Sequence, residues 1–355
     1  MNSNQLFAYV GSRTTAERNA RGKGISVFRV DEFNQSLELV QIAEALPNPS
    51  FLAIDSANAV LYTVHGDMEQ VSSYKINRID GTISHLCSQF CGGKNPVHVA
   101  IDPTGTNLLI SNHISHNVSV LPITADGQIS APSQIIELVG TPGPHRKEQP
   151  FSKPHFNLFD PTGKYLAVPD KGLDRIFMFE FSKGRLTPAP FPWVDTRETA
   201  GPRHIVFSST KTQAYVVNEL DSTVTTYEFD LNSGNLRPVQ VLSSLPSSFC
   251  GNSRASEIAL SRDNKFLYVS NRGYDSVAVF AVDSHSGLLI FIDAFLTYGT
   301  TPRFFAISPN EQILFALNED SDTIVALPVA VDGGLGTPIQ TIHSFSPVCM
   351  VFGRW

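Results

Sequence analysis

Short apolar runs separated by turn residues return along this chain in one fixed order. The clearest copy spans 201–227: a Gly-Pro, an apolar strand over 203–207, a polar turn over 208–212, a second strand over 214–217, Asn218-Glu219, a turn over 220–222 and a third strand over 224–227. Other copies begin at Pro49, Pro96, Pro154, Ala255 and Pro302, with a truncated one at Pro347, in steps of 47, 58, 48, 53, 47 and 45 residues. That is the period of a four-stranded propeller blade. Proline suits the opening of a copy because the first residue of a strand needs no ladder hydrogen bond. Asp-Pro-Thr-Gly at 102–105 and again at 160–163 is turn chemistry. No window of 11 or more residues carries a convincing helical period, so helices are expected to be few.

The start of the chain completes the pattern. Residues 6–12 and 24–30 read as paired strands around a polar, basic excursion over 13–23, and no inner strand precedes them. Residues 346–352 read as an opening strand with no continuation. The predicted fold is therefore all-β: a seven-bladed β-propeller of four-stranded antiparallel blades, the ring closed by pairing N- and C-terminal strands in one blade. A length of 355 residues would suggest two domains at ~150 residues each, but the repeat predicts a single domain over 1–355.

Composition narrows the partners. The formal net charge of −7 argues against nucleic acid or an anionic membrane surface, so any bound anion must meet a local cluster of basic groups. The opening residues 1–10 lack a basic segment followed by an apolar one, and no run of ~18 apolar residues occurs; a cytoplasmic location is expected. Cys87, Cys91, Cys250 and Cys349 have neither disulfide-framework nor zinc-motif spacing and read as plain thiols. No cofactor and no metal are expected.

Blade geometry turns the repeat into a candidate site. If the first strand of each blade leaves one face of the disc and the second returns to it, the residue after the Pro and those ending the second strand share one mouth of the central channel. After the Pro these are Ser50, Val97, His155, Arg203, Ser256 with Glu257, and Arg303; at the second strand's exit they are His65, His113, Asp170 with Lys171, Glu219, Asn271 with Arg272, and Glu319. Burying so many ionisable groups is costly without purpose. His155, Arg203, Glu219 and Arg272 fall in three successive blades and form a plausible catalytic kit, with guanidinium forks for an anion and an imidazole and a carboxylate to move protons. Two insertions, 141–149 and 243–254, should arch over this mouth; Arg146 or Lys147 either extends the anion site toward a phosphate or belongs to a solvated loop.

At these positions the chain resembles a known family. Lys153-Pro154-His155, Pro169-Asp170-Lys171-Gly172, Gly201-Pro202-Arg203-His204, Asn218-Glu219, Ser256-Glu257-Ile258 and Asn271-Arg272-Gly273 are similar to the marks of the lactonase seven-bladed propellers. That family includes bacterial 6-phosphogluconolactonases and fungal carboxy-cis,cis-muconate cyclases. The resemblance spans the chain and implies a catalytic set of His155, Arg203, Glu219 and Arg272, with Arg146, Asp170, Lys171, Glu257 and His113 expected to bind substrate. Many relatives carry a second His two residues after the first, where this chain has Asn157.

The implied activity is hydrolysis of a small anionic lactone, a sugar or sugar-phosphate lactone, without a cofactor. Arg203 and Arg272 would hold the anion or developing oxyanion, and Glu219 and His155 would share the general acid and base work. Cyclisation of an unsaturated carboxylic acid is the alternative reaction. A calcium-dependent six-bladed lactonase and a non-enzymatic binding propeller are the alternatives of other classes; blade count and the basic neighbours of the rim carboxylates disfavour the first. The residues do not specify the oligomeric state.

Overall fold

A computed structural model describes residues 5–44, 47–209 and 212–355. Within them seven four-stranded antiparallel sheets form the ring, and the only helix among the described residues is one 3-10 turn, Ala16–Arg18. Blade 1 pairs Pro347–Arg354 with Leu6–Ser12, then Gly24–Asp31 and Ser36–Glu44. The inner strands of the others are Pro49–Asp55 in blade 2, Pro96–Ile101 in blade 3, Leu158–Phe159 in blade 4, Pro202–Phe207 in blade 5, Arg254–Leu260 in blade 6 and Pro302–Ile307 in blade 7. Closure by both termini is as expected, from Leu6 opposite Arg354 to Ser12 opposite Pro347. Trp355 Nε1 secures it with a hydrogen bond to Tyr9 Oη (3.0 Å). Residues 1–4 of the opening segment, and 210 and 211 of the turn expected over 208–212, lie outside the described residues.

Each second strand is buried on both sides because it is sandwiched between neighbouring blades. In Leu6–Ser12, Leu6, Ala8 and Val10 pack against Phe315 and Leu317 of blade 7, while Phe7 and Tyr9 pack against Leu52 and Leu61 of blade 2. Seven such clusters fill the seven blade interfaces. Area removed from water there is the main cohesive term. Tyrosines of the second strands bolt one blade to the next: Tyr9, Tyr215 and Tyr268 donate to the carbonyls of Gly81, Gly287 and Gly333.

Close packing leaves no room at Gly11, where an added Cβ would lie 2.2 Å from the Pro49 carbonyl oxygen. Gly11→Ala must force blades 1 and 2 apart, and an overpacking cost of about 2 kcal/mol is expected, read as a lower urea midpoint with an unchanged m-value. An unshifted midpoint would mean that this interface gives way freely.

One irregularity recurs at the mouth of every blade. Where the inner strand begins, its register slips by one against the second strand: between Pro49 and Phe51, Pro96 and His98, Pro202 and His204, Ala255 and Ile258, Pro302 and Phe304, and Pro347 and Cys349. In blade 4 the slip falls between the isolated Pro154–Asp170 bridge and Leu158, so of the strand expected over 155–160 only Leu158–Phe159 is regular. Such bulges re-aim a side chain away from the sheet.

Candidate active site

The bulges place Ser50, Val97, His155, Arg203, Arg303 and Val348 around one small space at the channel mouth, together with Arg13. The residues that follow them close it from below. Phe51, His98, Phe156 and His204 pack together with ring centroids 3.8–6.4 Å apart, mostly tilted or edge-on, and Phe304 lies 6.0 Å from Phe51. An aromatic floor keeps bulk water out and strengthens electrostatics above it.

The exits of the second strands form a companion ring with a division of labour. At the last paired position stands a buried polar residue that serves the backbone. Asn112, Asn218, Asn271 and Asn318 bond the next hairpin through Asn117, Thr223, Ser276 and Thr323. Asp170 likewise accepts from Ser152 Oγ and from the amides of Lys153, Gly172 and Leu173 (2.5–3.0 Å). Burial raises its pKa to about 6. Asp170 is thus a clamp for its own turn, not the substrate ligand expected from sequence, and His65 is similarly taken by the Pro47 carbonyl and Ser72. The next residue supplies the mouth: His113, Lys171, Glu219 and Arg272.

Glu219 lies at the centre, 3% exposed. Its Oε1 accepts from Lys171 Nζ (3.0 Å) and its Oε2 from Arg203 Nε (3.0 Å), with Arg272 Nη2 at 3.3 Å and Arg254 Nη1 at 3.9 Å. Burial alone would raise its pKa, but Lys171, Arg272 and Arg203 outweigh that and hold it well below the usual carboxylate range. Arg203 is fixed on its other edge, where Nη1 donates to His204 Nε2 (2.8 Å) and to the Ser256 carbonyl (2.9 Å). His204 Nδ1 lies 3.1 Å from Glu257 Oε1. Burial pushes the Glu257 carboxyl up to about 8, so the two carboxyl groups differ in charge at neutral pH.

His155 sits beside this lattice. Its ring centroid is 5.2 Å from that of His113 and 5.3 Å from that of His204, and its Nδ1 is buried with no hydrogen-bond partner. Burial, with Arg203 close by, holds it well below the usual imidazole value, so the ring is neutral. His113 is neutral for the same chief reason, its Nδ1 facing the Pro154 carbonyl at 3.2 Å. Asn157 donates to Ser111 Oγ (2.9 Å) and is fully buried, so the position at which the family resemblance implies a second His lies outside the mouth.

The insertions meet over Glu219 as expected, but through different side chains. Arg146 and Lys147 are exposed, and neither forms an ion pair with the cluster among the described residues. The turn is wound tightly around His145, whose Nδ1 accepts from the amides of Lys147 and Glu148, and it is Glu148 that reaches inward. Its carboxylate joins Arg254 Nη2 (2.9 Å) to Lys171 Nζ (3.4 Å). Sequence reasoning missed both Glu148 and Arg254. It also missed the blade 1 members of the two rings, Val348 and Arg13, which are separated by almost the whole chain; counting Ser12 as a second-strand exit would have found Arg13.

Ring, floor and buried guanidinium–carboxylate lattice together define a propeller with a polar site in its channel mouth. The family model for Lactonase, 7-bladed beta-propeller matches residues 7–352, and the chain belongs to that family. It is 33% identical over 352 residues to the 6-phosphogluconolactonase of Bacillus subtilis (strain 168), covering 98% of each chain. To the 6-phosphogluconolactonase of Formosa agariphila it is 30% identical, covering 92% of this chain and 93% of that one. Among solved structures, the periplasmic gluconolactonase of Pseudomonas aeruginosa superimposes with a TM-score of 0.91 at 28% identity, over 98% of this chain and 99% of that one.

Proposed function

We propose that the protein is a lactone hydrolase of the 6-phosphogluconolactonase type, opening a small anionic sugar lactone at the channel mouth. The observation that carries this is the neutral, unpartnered His155 beside two arginines locked in place by one buried carboxylate. His155 takes a proton as a water oxygen adds to the lactone carbonyl carbon. Arg203 and Arg272 meet the negative charge that develops on the carbonyl oxygen. The ring C–O bond then breaks, and the imidazolium returns the proton to the departing ring oxygen. A buried imidazole with a low pKa is a weak base at rest but a strong acid once charged, which suits the second step.

Glu219 has a different role from the shared acid–base work expected from sequence. A carboxylate held by three cations is a poor proton acceptor, so it serves to fix Arg203, Arg272 and Lys171. The cyclisation alternative draws no support from the relatives named above. A binding propeller would be favoured by a cluster of aromatic side chains exposed at the rim. Tyr298 and Phe345 are exposed in the loops leading to blades 7 and 1, but the rings gathered at the channel mouth are buried or half-buried beneath it. A cytoplasmic setting belongs to the same proposal and rests on the four unpaired cysteines; no described helix is long and apolar enough to cross a membrane.

Release of acid from 6-phosphogluconolactone and from unphosphorylated gluconolactone, followed with a pH indicator, tests the reading. Ring opening faster than the spontaneous rate is expected, and a rate equal to the buffer control for both would end it. A chelator should leave the rate unchanged. No group of three or more His, Cys, Asp or Glu among the described residues could hold a metal ion, and Glu219 is surrounded by Lys and Arg rather than oxygen ligands.

A further inference from the structure

Across the mouth from Glu219, blades 7, 1 and 2 present a second set of basic and polar groups for which the reaction above has no use. Arg13 leaves the second strand of blade 1 at the position equivalent to Glu219. Its amide donates to the Ser346 carbonyl (3.0 Å) as that of Glu219 donates to the Gly201 carbonyl (2.8 Å). Its side chain is only 4% exposed. In blade 2 the equivalent residue is Gly66, and the space a side chain would fill there holds the Arg13 guanidinium: a Cβ on Gly66 would lie 2.3 Å from Arg13 Nη1 and 2.8 Å from Ser50 Oγ.

These groups lack adequate partners. The only carboxylate within ion-pair distance of Arg13 among the described residues, Asp67, stands at 3.5 Å and is already gripped by both Nε and Nη2 of Arg18; Glu319 acts on Arg13 only through space. Arg303 is 3.9 Å from Glu319, too far for a hydrogen bond. Ser50 Oγ is buried with no partner. Two poorly compensated guanidiniums and an unpaired hydroxyl, all lining one small space with His155 and Arg203, are costly unless a ligand completes them.

The geometry points to a second anion site in which Arg13, Arg303 and Ser50 bind a phosphate or carboxylate on the part of the substrate remote from the lactone carbonyl. This rests on the lactonase reading and adds selectivity to it. A substrate anchored at both poles spans the mouth and brings its carbonyl to Arg203, Arg272 and His155, which favours a charged lactone over a neutral one. Two guanidinium donors give the bidentate match that phosphate and carboxylate both accept.

The test compares kcat/KM for 6-phosphogluconolactone, for a sugar lactone bearing a terminal carboxylate, and for neutral gluconolactone. Arg13→Met should lower the ratio of the charged to the neutral substrate about 30-fold, chiefly through KM, and Arg13→Lys should restore part of it. The charged lactone that loses more identifies which anion the site reads. Gly66→Ala guards against a folding defect in Arg13→Met, because its methyl meets only the ends of side chains and pushes Arg13 and Ser50 aside; the same ratio should fall. Inorganic phosphate should compete with the charged lactone in wild type and lose potency in both variants. Ratios within twofold of wild type, with unchanged phosphate inhibition, would overturn the second site. A wild type that opens none of the three lactones would instead refute the lactonase reading.

Discussion

Glu219→Gln is expected to lower kcat/KM for the lactone by about a thousandfold, the scale on which preorganised charge acts in such sites. Gln keeps one acceptor oxygen but turns an N–H group toward guanidinium or ammonium hydrogens. Arg203 Nε, Arg272 Nη2 and Lys171 Nζ now share a single carboxylate; without its charge they repel, and the positions that receive the developing oxyanion are lost. Stability falls as well. Removing one partner of a buried ion cluster costs about 3–5 kcal/mol because the remaining charges stay buried and uncompensated. The pKa of Glu219 is depressed on folding, so its stabilisation is complete above the unfolded value near 4.5 and is lost as the pH falls through the folded value. The deficit of the variant should therefore be full at pH 7 and narrow in acid. Urea midpoints taken beside the kinetics separate the two effects, and Glu219→Asp, which keeps the charge, should recover more stability than rate. A Glu219→Gln enzyme turning over near the wild-type rate would remove the lattice from the mechanism.

The ring and its closure were legible in sequence because they rest on local rules repeated many times. Pro at the head of a strand, Asp-Pro-Thr-Gly between strands and short apolar runs separated by turns recur until the period is unmistakable. The four central residues were legible for a related reason: His155, Arg203, Glu219 and Arg272 each occupy a repeat position at which other blades also show polar residues. What the repeat does not encode is the one-residue slip at each blade's mouth. It decides that Arg203 enters the mouth while His204 enters the floor. A chain read as straight strands gives both residues equal standing.

The errors have physical sources too. Asp170 and Lys171 are adjacent and both polar, but in the exit geometry one side chain turns back to its own turn and the other forward to Glu219. Arg146 and Lys147 have the charge for an anion site. The tight turn around His145 points Glu148 inward instead, because a cluster already holding Lys171, Arg203, Arg254 and Arg272 needs negative charge. Long-range compensation of this kind leaves no mark on a single sequence. Arg13 escaped because its blade is split between the two ends of the chain.

Glu257 makes a prediction opposite in sign to that of Glu219. It lies 5% exposed, with Oε1 bonded to the Ile258 amide (3.0 Å) and facing His204 Nδ1, while Oε2 is buried without a partner. Burial raises its pKa to about 8 against the downward pull of Arg203 and Arg303. Between the unfolded value near 4.5 and the folded value near 8 the folded protein holds a proton that the unfolded chain has released, so this residue's contribution to stability falls as the pH rises through that window. Other buried groups titrate there as well, Asp170 and the neutral histidines among them, and the wild-type curve alone mixes them. The difference between wild type and Glu257→Gln isolates the one carboxyl, since Gln is neutral throughout. Relative to wild type, the variant should gain on the order of 3 kcal/mol between pH 5 and pH 8, read from urea unfolding at intervals across the range. A difference that stays flat would mean that Glu257 is ionised in the folded state. Its charge would then be met by Arg203 and Arg303, while the neutral His204 donates from Nδ1 to the carboxylate and still accepts from Arg203 at Nε2.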